Sequence, residues 1–437
     1  MKILPKLYKE YGDHLNTFRA FPSIMDGLRP VERRVLLATH DTARQKLVKS
    51  VKVIGAALVL HPHSDDSVYS TLSRLVNAGL VIGQGNWGDR CGLEQLPPAA
   101  YRYTEVKANP IIDEMLFENI KHVEWDVFEI EKEPVYIPTP FPICFVIDNI
   151  NIGIGLGWQT KIPRYKISDL LQLALAMIEG KDLLIHPYCP GNEVISDDSE
   201  SIKLLDTGEG TIIFKPQYEI DKKKRKIKIT SVPIKGFRTL LSGLKQFFEK
   251  NLITVLDNTS NNKTEILIEV IKNKKIDFDK LVQKVEKAII QQVSFNIIVA
   301  DNNHKLHKIG VKELLKYSIN NYRNVWLNKF NYELQKSMEL KRKYTIIQKI
   351  RPQIAQLIKD DIYDIGKVIN YITQIHTDIT QEELKEILSK YTLNKLFTIK
   401  VDINEIDKQI DEWNGLINGI NRFVKNNYKN LIKKLDF

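Results

Sequence analysis

Cysteine is scarce in this chain. Cys91, Cys144 and Cys189 are the only three in 437 residues. They are odd in number, far apart, and form no C-x-x-C pair, which excludes a disulfide framework and a cysteine-based zinc site. Three reduced structural thiols are expected. Long apolar runs are also missing, so no segment reads as a membrane-spanning helix. The opening stretch, Met1 to His14, mixes Lys, Glu and Asp with apolar residues and has no signal-peptide core. A cytoplasmic location is therefore expected. The sequence holds no G-x-x-x-x-G-K-[ST] phosphate loop and no G-x-S-x-G nucleophile elbow. No metal-ligand motif is read from it, so any metal or nucleotide chemistry must be served from elsewhere. Internal repeats and long low-complexity segments are absent as well.

Positive charge is abundant. The formal net charge is +10, with a pI near 9.1, which suits a polyanionic partner. Seven Lys or Arg (Arg29, Arg33, Arg34, Arg44, Lys46, Lys49, Lys52) stand against Glu32 and Asp41 in one short stretch. Such an excess draws in phosphate backbones. A solvated helix face fits the same residues, and at this stage both readings stand. With 437 residues and a hydrophobic fraction of 43%, the chain should divide into two to four globular domains.

The patterning changes along the chain. Up to about Ile147, short helical patterns are broken by Gly and Pro. Val31 to Leu47 predicts a helix opened by Pro30. Ser64 to Val76 predicts another, and Gly83 to Pro98 predicts a loop. From Asp148 to Ala300 the chain reads as mixed α/β. Thr211–Phe214, Lys226–Thr230 and Glu265–Val270 are strand-like, Lys222–Arg225 resembles a hairpin tip, and Asp257–Lys263 reads as a polar turn. Beyond that, Val311, Leu315, Ile319, Tyr322, Trp326, Phe330, Leu334 and Met338 mark one face of a long helix. A three-four seam from Ile403 to Leu435 predicts its coiled-coil partner. The two would pair antiparallel and carry a helical knob between them, and Gly415 and Gly419 would loosen the second rod.

Four motifs stand in order. They are Arg19-Ala-Phe-Pro-Ser-Ile-Met-Asp-Gly-Leu-Arg-Pro-Val-Glu-Arg-Arg, His61-Pro-His, Gly83-Gln-Gly-Asn-Trp-Gly, and Arg102-Tyr-Thr-Glu. Together with Gly153-Ile-Gly-Leu-Gly-Trp-Gln-Thr-Lys-Ile-Pro, they resemble the breakage-reunion region of type IIA DNA topoisomerases, in particular the A subunits of gyrase and topoisomerase IV. Weaker echoes run through Thr207-Gly-Glu-Gly and Gln292-Val-Ser-Phe. The short form is similar to the medium subunit of T-even phage topoisomerases, so the cytoplasm of a bacterium or of a phage-infected host is implied.

The resemblance implies an α+β multidomain fold. A winged-helix DNA-cleavage domain would span 1–147 and an α/β tower domain 148–308. A long antiparallel coiled coil with a helical dimer gate would span 309–437. It implies that Tyr103 attacks DNA and forms a transient 5′-phosphotyrosine link, that Arg102 stabilises the developing charge, and that His63 assists proton transfer. Tyr101 is then a decoy. Arg19, Arg29, Arg33, Arg34, Lys52 and His61 would contact DNA, and Ile154 would wedge between base steps. A packed strand isoleucine is the other reading of Ile154. Glu32 departs from the family pattern, which has a histidine there. Asp66 and Ser70 match the acidic residue and serine that hold water around quinolone-bound Mg²⁺, in reversed order.

The implied partners are double-stranded DNA, a second copy of the chain, and a separate ATPase/TOPRIM subunit that binds ATP and most of the Mg²⁺; no metal is expected on this chain itself. With no wrapping domain visible, relaxation or decatenation is expected rather than negative supercoiling. Two other readings fit less of the sequence. A non-catalytic, DNA-binding architectural dimer of the same fold leaves the Arg102-Tyr103 pair unexplained, and a coiled-coil scaffold ignores the first third of the chain.

Overall fold

The computed structural model describes residues 3–62, 64–128, 131–260, 263–272, 274, 276–303, 305–399 and 402–435. It separates into two compact units. One comprises residues 1–322 with 425–437, and the other residues 323–424.

In the first unit, helix α1 (Pro30–Ala43) opens with Pro30 at its first turn, where a missing N–H costs nothing. It ends four residues short of the expected Leu47. Strand β1 (Val48–Lys49) and helix α2 (Ser50–Leu60) follow. Helix α3 (Asp65–Asn77) has Ser64 in the capping position and Asp65 and Asp66 in its first turn, the favoured end for negative charge. Strands β2 (Val81–Gln84) and β3 (Glu105–Ala108) join β1 in an antiparallel sheet of order β1-β3-β2. Val53, Ile54, Val68, Leu72, Leu75, Val81 and Val106 are buried. The stretch expected to be a loop from Gly83 therefore begins as the end of a strand.

Two larger sheets follow. The first has order β4-β5-β12-β7-β6, from β4 (Ile150–Ile154), β5 (Gln159–Pro163), β6 (Asn192–Val194), β7 (Glu209–Pro216) and β12 (Gln291–Asn296). The second has order β8-β9-β11-β10, from β8 (Tyr218–Asp221), β9 (Lys226–Ile229), β10 (Ile253–Asp257) and β11 (Ile266–Val270). Helices α4 (Arg238–Glu249) and α5 (Phe278–Ile289) cover it through Leu240, Leu244, Leu281 and Val285. Lys222–Arg225 is indeed a hairpin tip, with Arg225 at φ 52, but the hairpin is β8–β9. The Thr211–Phe214 run belongs to the other sheet, paired with β12. Alternation alone identifies a strand but not its neighbour.

Helix α6 (Val311–Lys359) runs 49 residues and passes through Pro352. In the second unit, its continuation from Arg323 pairs with α10 (Ile403–Asn418) and with the first turn of α11 (Ile420–Leu435), the rest of which belongs to the first unit. The ring centroids of Trp326 and Phe423 lie 4.8 Å apart, those of Phe330 and Trp413 6.0 Å, and Lys341 meets Asp407 at 2.5 Å. Residue numbers rise on one side as they fall on the other, so the pairing is antiparallel, as expected. The second rod breaks at Gly419. Met338, expected on the apolar face, is 56% exposed while Ser337 is buried. A straight helix of period 3.6 drifts away from a seven-residue seam. A knob of α7 (Ile365–Ile375), α8 (Gln381–Lys390) and α9 (Leu393–Thr398) closes over Ile346, Ile350 and Ile354 of α6. No described helix is long and apolar enough to cross a membrane.

Candidate active site

Tyr103 stands just before β3, on the outside of the three-helix, three-strand region, and is 64% exposed. The residue after it holds it there. Thr104 is fully buried, and its hydroxyl lies 2.8 Å from Ser50 Oγ on α2 and 3.1 Å from Tyr69 Oη on α3. Ser50 N–H donates to the Thr104 carbonyl at 3.0 Å. Tyr69 Oη also donates to the Ala99 carbonyl at 2.5 Å. A hydrogen-bonded buried threonine thus fixes the backbone on which an exposed tyrosine projects. Gly85, at φ +101, runs under this turn, where a side chain would crowd the Tyr103 carbonyl.

Arg102 lies over the Tyr103 ring, with Cζ 4.7 Å from the centroid. A hydrogen bond to Tyr103, and the negative charge its oxygen can carry, raise the Arg102 guanidinium above its ordinary value. A cation therefore sits where the oxygen would become phenolate. Tyr101 is different. Its hydroxyl donates to Asp65 Oδ2 at 3.1 Å, and that bond with the Asp65 charge pushes its pKa up, disfavouring its nucleophilic form. The two tyrosines thus differ in surroundings, Tyr101 facing a carboxylate and Tyr103 a guanidinium.

The arginines of the first motif require a correction. Arg29, Arg33 and Arg34, expected to contact DNA, are buried. Arg33 grips Asp26 at 2.8 and 3.0 Å. Arg34 binds Glu133 at 2.9 Å. Arg29 bonds Glu32 at 2.9 Å and also reaches Asn151 Oδ1 and the Ile152 carbonyl, each at 2.9 Å. Each arginine has a carboxylate folded onto it, so the basic run is largely neutralised inside the protein. Arg19, Lys46 and Lys52 are exposed, and Lys49 pairs with Glu105 at 2.9 Å.

His61 ends α2, its N–H donating to the Ala57 carbonyl at 3.3 Å, and is half-buried. His63 lies outside the described residues. Asp66 and Ser70 are both exposed on α3, and their four-residue spacing puts them on one side of it.

Ile154 is at the end of β4 and 73% exposed, so the packed-strand reading is set aside. Its hairpin turns through Gly155 N–H to the Trp158 carbonyl at 3.0 Å. Asn16 accepts from Leu156 N–H at 2.7 Å, and a Cβ on Gly155 would collide with that amide. Ile152 and Trp158, each 49% exposed, flank Ile154. The sequence reading missed Thr104, Asn16 and Trp158, although Thr104 and Trp158 lie inside quoted motifs.

Burial pushes the Cys189 thiol up to about 12 and the Cys144 thiol higher still. Burial and Asp89 also raise Cys91. None of the three forms a disulfide, and the shifts disfavour the thiolate form at each. Asp277-Phe-Asp279 has the spacing of a paired-aspartate metal motif, which corrects the expectation that the sequence holds none of the D-x-D type. Asp277 caps α5 by accepting from Lys280 N–H, and Asp279 pairs with Lys222 at 3.0 Å. Among the described residues no group of three His, Cys, Asp or Glu is placed to hold a metal ion. A cavity of about 1040 Å³ is lined in part by Arg90, Asp148, Arg164 and Lys235, and Tyr103 is not part of its wall. An exposed tyrosine outside this cavity suits contact with a polymer better than with a small molecule.

Residues 19–436 match the family described as the A subunit of DNA gyrase/topoisomerase IV. The chain belongs to this family. It is similar to the A subunit of DNA topoisomerase 4 from Bacillus subtilis, 26% identical over 473 residues that cover 99% of this chain and 57% of the relative. The corresponding protein of Staphylococcus epidermidis is 24% identical over 453 residues, covering 96% and 55%. That of Staphylococcus aureus is 26% identical over 463 residues, covering 97% and 56%. The chain thus spans about half the length of the curated relatives it matches.

Proposed function

We propose that this chain is the DNA-cleaving and rejoining subunit of a type II topoisomerase, with Tyr103 as its nucleophile. The observation that carries the reading is the anchored, solvent-facing Tyr103 with the Arg102 cation over its ring. The Tyr103 oxygen gives up its proton and forms a bond to a DNA phosphorus. The bond from phosphorus to the deoxyribose 3′ oxygen breaks, and that oxygen takes up a proton. One phosphoester replaces another, so the link stores the energy needed for rejoining, and the reverse attack restores the strand. Negative charge grows on the phosphate oxygens during the step, and Arg102 offsets it. Arg19 and Lys52 supply exposed positive charge for the backbone.

On this reading, residues 1–147 form a winged-helix cleavage domain; the three helices packed on the small antiparallel sheet support it. Residues 148–308 form the tower domain, and 309–437 a coiled coil with a dimer gate. The functional unit is a homodimer joined to an ATPase/TOPRIM partner, which holds the ATP and the Mg²⁺. His63 assists proton transfer and His61 lines the site. The test is to mix the chain with that partner, Mg²⁺, ATP and catenated plasmid. ATP-dependent unlinking is expected from the mixture and not from the chain alone. Efficient Mg²⁺-dependent cutting by the chain alone would overturn the division of labour.

Ile154, rigidly presented, acts as a wedge between base steps. Replacing it with Ala should reduce the bend of a bound duplex, read by energy transfer between end labels. A loss of about 1–3 kcal/mol of binding to a straight duplex is expected, since unstacking one step costs a few kcal/mol that the wedge no longer offsets. An unchanged bend angle would refute the wedge.

Asp66 and Ser70 set the response to quinolones. The acidic group lies one helical turn, about 5.4 Å, from its usual place, so a water bridge to drug-bound Mg²⁺ is misdirected. Low drug-stimulated cleavage is expected, with a gain in the Asp66→Ser, Ser70→Asp double variant. Equal trapping of both proteins would remove the argument.

A further inference from the structure

Between Gly88 and Pro98 the chain makes a closed excursion before it reaches Tyr103. Asp89 and Leu96 bridge each other with backbone bonds of 3.1 and 2.9 Å, and Asp89 Oδ1 accepts from Cys91 N–H at 2.7 Å. The tip of this excursion is docked on the four-stranded sheet. Leu93 N–H donates to Asp257 Oδ2, at the end of β10, at 2.8 Å. The Thr264 hydroxyl donates to the Cys91 carbonyl at 2.9 Å. The Leu93 side chain packs against the apolar core beneath that sheet. Gly92 is buried, and a Cβ there would press on Asp257 Oδ2. Asp257 is itself held by Thr259 N–H at 3.0 Å.

The other end of the excursion leads to the nucleophile with little slack. After Pro97 and Pro98, Ala99 N–H donates to the Asn86 carbonyl at 3.0 Å, and the Ala99 carbonyl accepts from Tyr69. Tyr103 N–H closes a turn onto the Ala100 carbonyl at 2.8 Å. The segment is pinned at the sheet, at Ala99 and at Thr104, with two prolines stiffening the stretch between.

We propose that this clasp is a positioning device, in which Leu93 and Asp257 tie the Tyr103 turn to the four-stranded sheet so that the two move together. The inference rests on the reading of Tyr103 as the nucleophile. A tie of this kind matters because an attacking oxygen displaced by about 1 Å can lose about 100-fold in rate.

The test compares the full chain with Leu93→Ala/Asp257→Ala and with Asp257→Asn, whose amide oxygen still accepts from Leu93 N–H. Hydrogen exchange over Ala99–Thr104 is expected to rise at least about tenfold in the double variant, as a local opening once suppressed becomes accessible. With the ATPase partner and saturating DNA, adduct formation should slow by about tenfold while DNA affinity stays within about twofold. Asp257→Asn should restore both readouts to near wild type. If exchange rises at 90–96 but not at 99–104, the clasp is broken without effect on the tyrosine and the proposal falls. It falls equally if Asp257→Asn behaves like the double variant. Failure of the wild type to form any adduct would overturn the nucleophile reading instead, and the exchange result would still decide whether the clasp positions the turn.

Discussion

Tyr103→Phe is expected to abolish covalent attachment of the protein to DNA, by at least about 10³-fold, because no other group stands in for a removed nucleophile. The phenyl ring keeps its place under Arg102 and loses only the oxygen, so the backbone anchored by Thr104 should not move. Affinity for uncut duplex is therefore expected to stay within about twofold, since phosphate contacts dominate it. The assay stops the reaction with denaturant in the presence of the partner and Mg²⁺, and counts labelled 5′ ends carried by protein. Tyr101→Phe is the control: its hydroxyl is engaged with Asp65 and should contribute no adduct. An adduct that persists in Tyr103→Phe, or that maps to Tyr101, ends the assignment. The same experiment separates the enzyme from an architectural dimer, which would give no adduct even as wild type.

The site was legible where its chemistry is local in sequence. Arg102 and Tyr103 are neighbours, the capping position and first turn of α3 follow from Ser64-Asp65-Asp66, and the three-four spacing in the last third gives two antiparallel rods. It was illegible where partners come from far away. Nothing near Arg34 announces that Glu133, 99 residues later, will fold onto it. A run of arginines therefore looks the same whether it faces phosphate or an internal carboxylate. Strand pairing failed for a related reason: β7 and β9 alternate alike but belong to different sheets. The long helix runs beyond Met338, the last residue of its marked apolar face, because that face drifts away from the seam there and Pro352 sits inside the helix without ending it. The clasp at Asp257 lies 164 residues from Leu93, beyond any periodicity.

Glu32 is the second position where a large effect is expected. Its carboxylate is 1% exposed and bonds Arg29 Nη1 at 2.9 Å and Arg74 Nη1 at 3.1 Å. Its other oxygen accepts from the Arg29 backbone N–H at 2.9 Å, satisfying a donor at the start of α1 that would otherwise be orphaned. One buried anion thus serves two guanidiniums and a helix end. Glu32→Ala leaves the buried Arg29 guanidinium without a carboxylate, while Arg74 keeps Asp148 at 2.7 Å, and breaking a buried pair in this way costs about 3–5 kcal/mol. Glu32→Gln keeps the shape but turns an amide N–H₂ toward either the two guanidiniums or the Arg29 backbone N–H, so it should recover only part of the loss. The effect reaches the Ile154 hairpin, because Arg29 Nη2 holds Asn151 and the Ile152 carbonyl two residues before Ile154. Glu32→Ala should therefore lower the thermal midpoint and loosen exchange across β4, while Tyr103, fixed independently by Thr104, keeps its exchange behaviour. A midpoint within experimental error of wild type would show that the two arginines find other partners and that Glu32 does not organise this end of the protein.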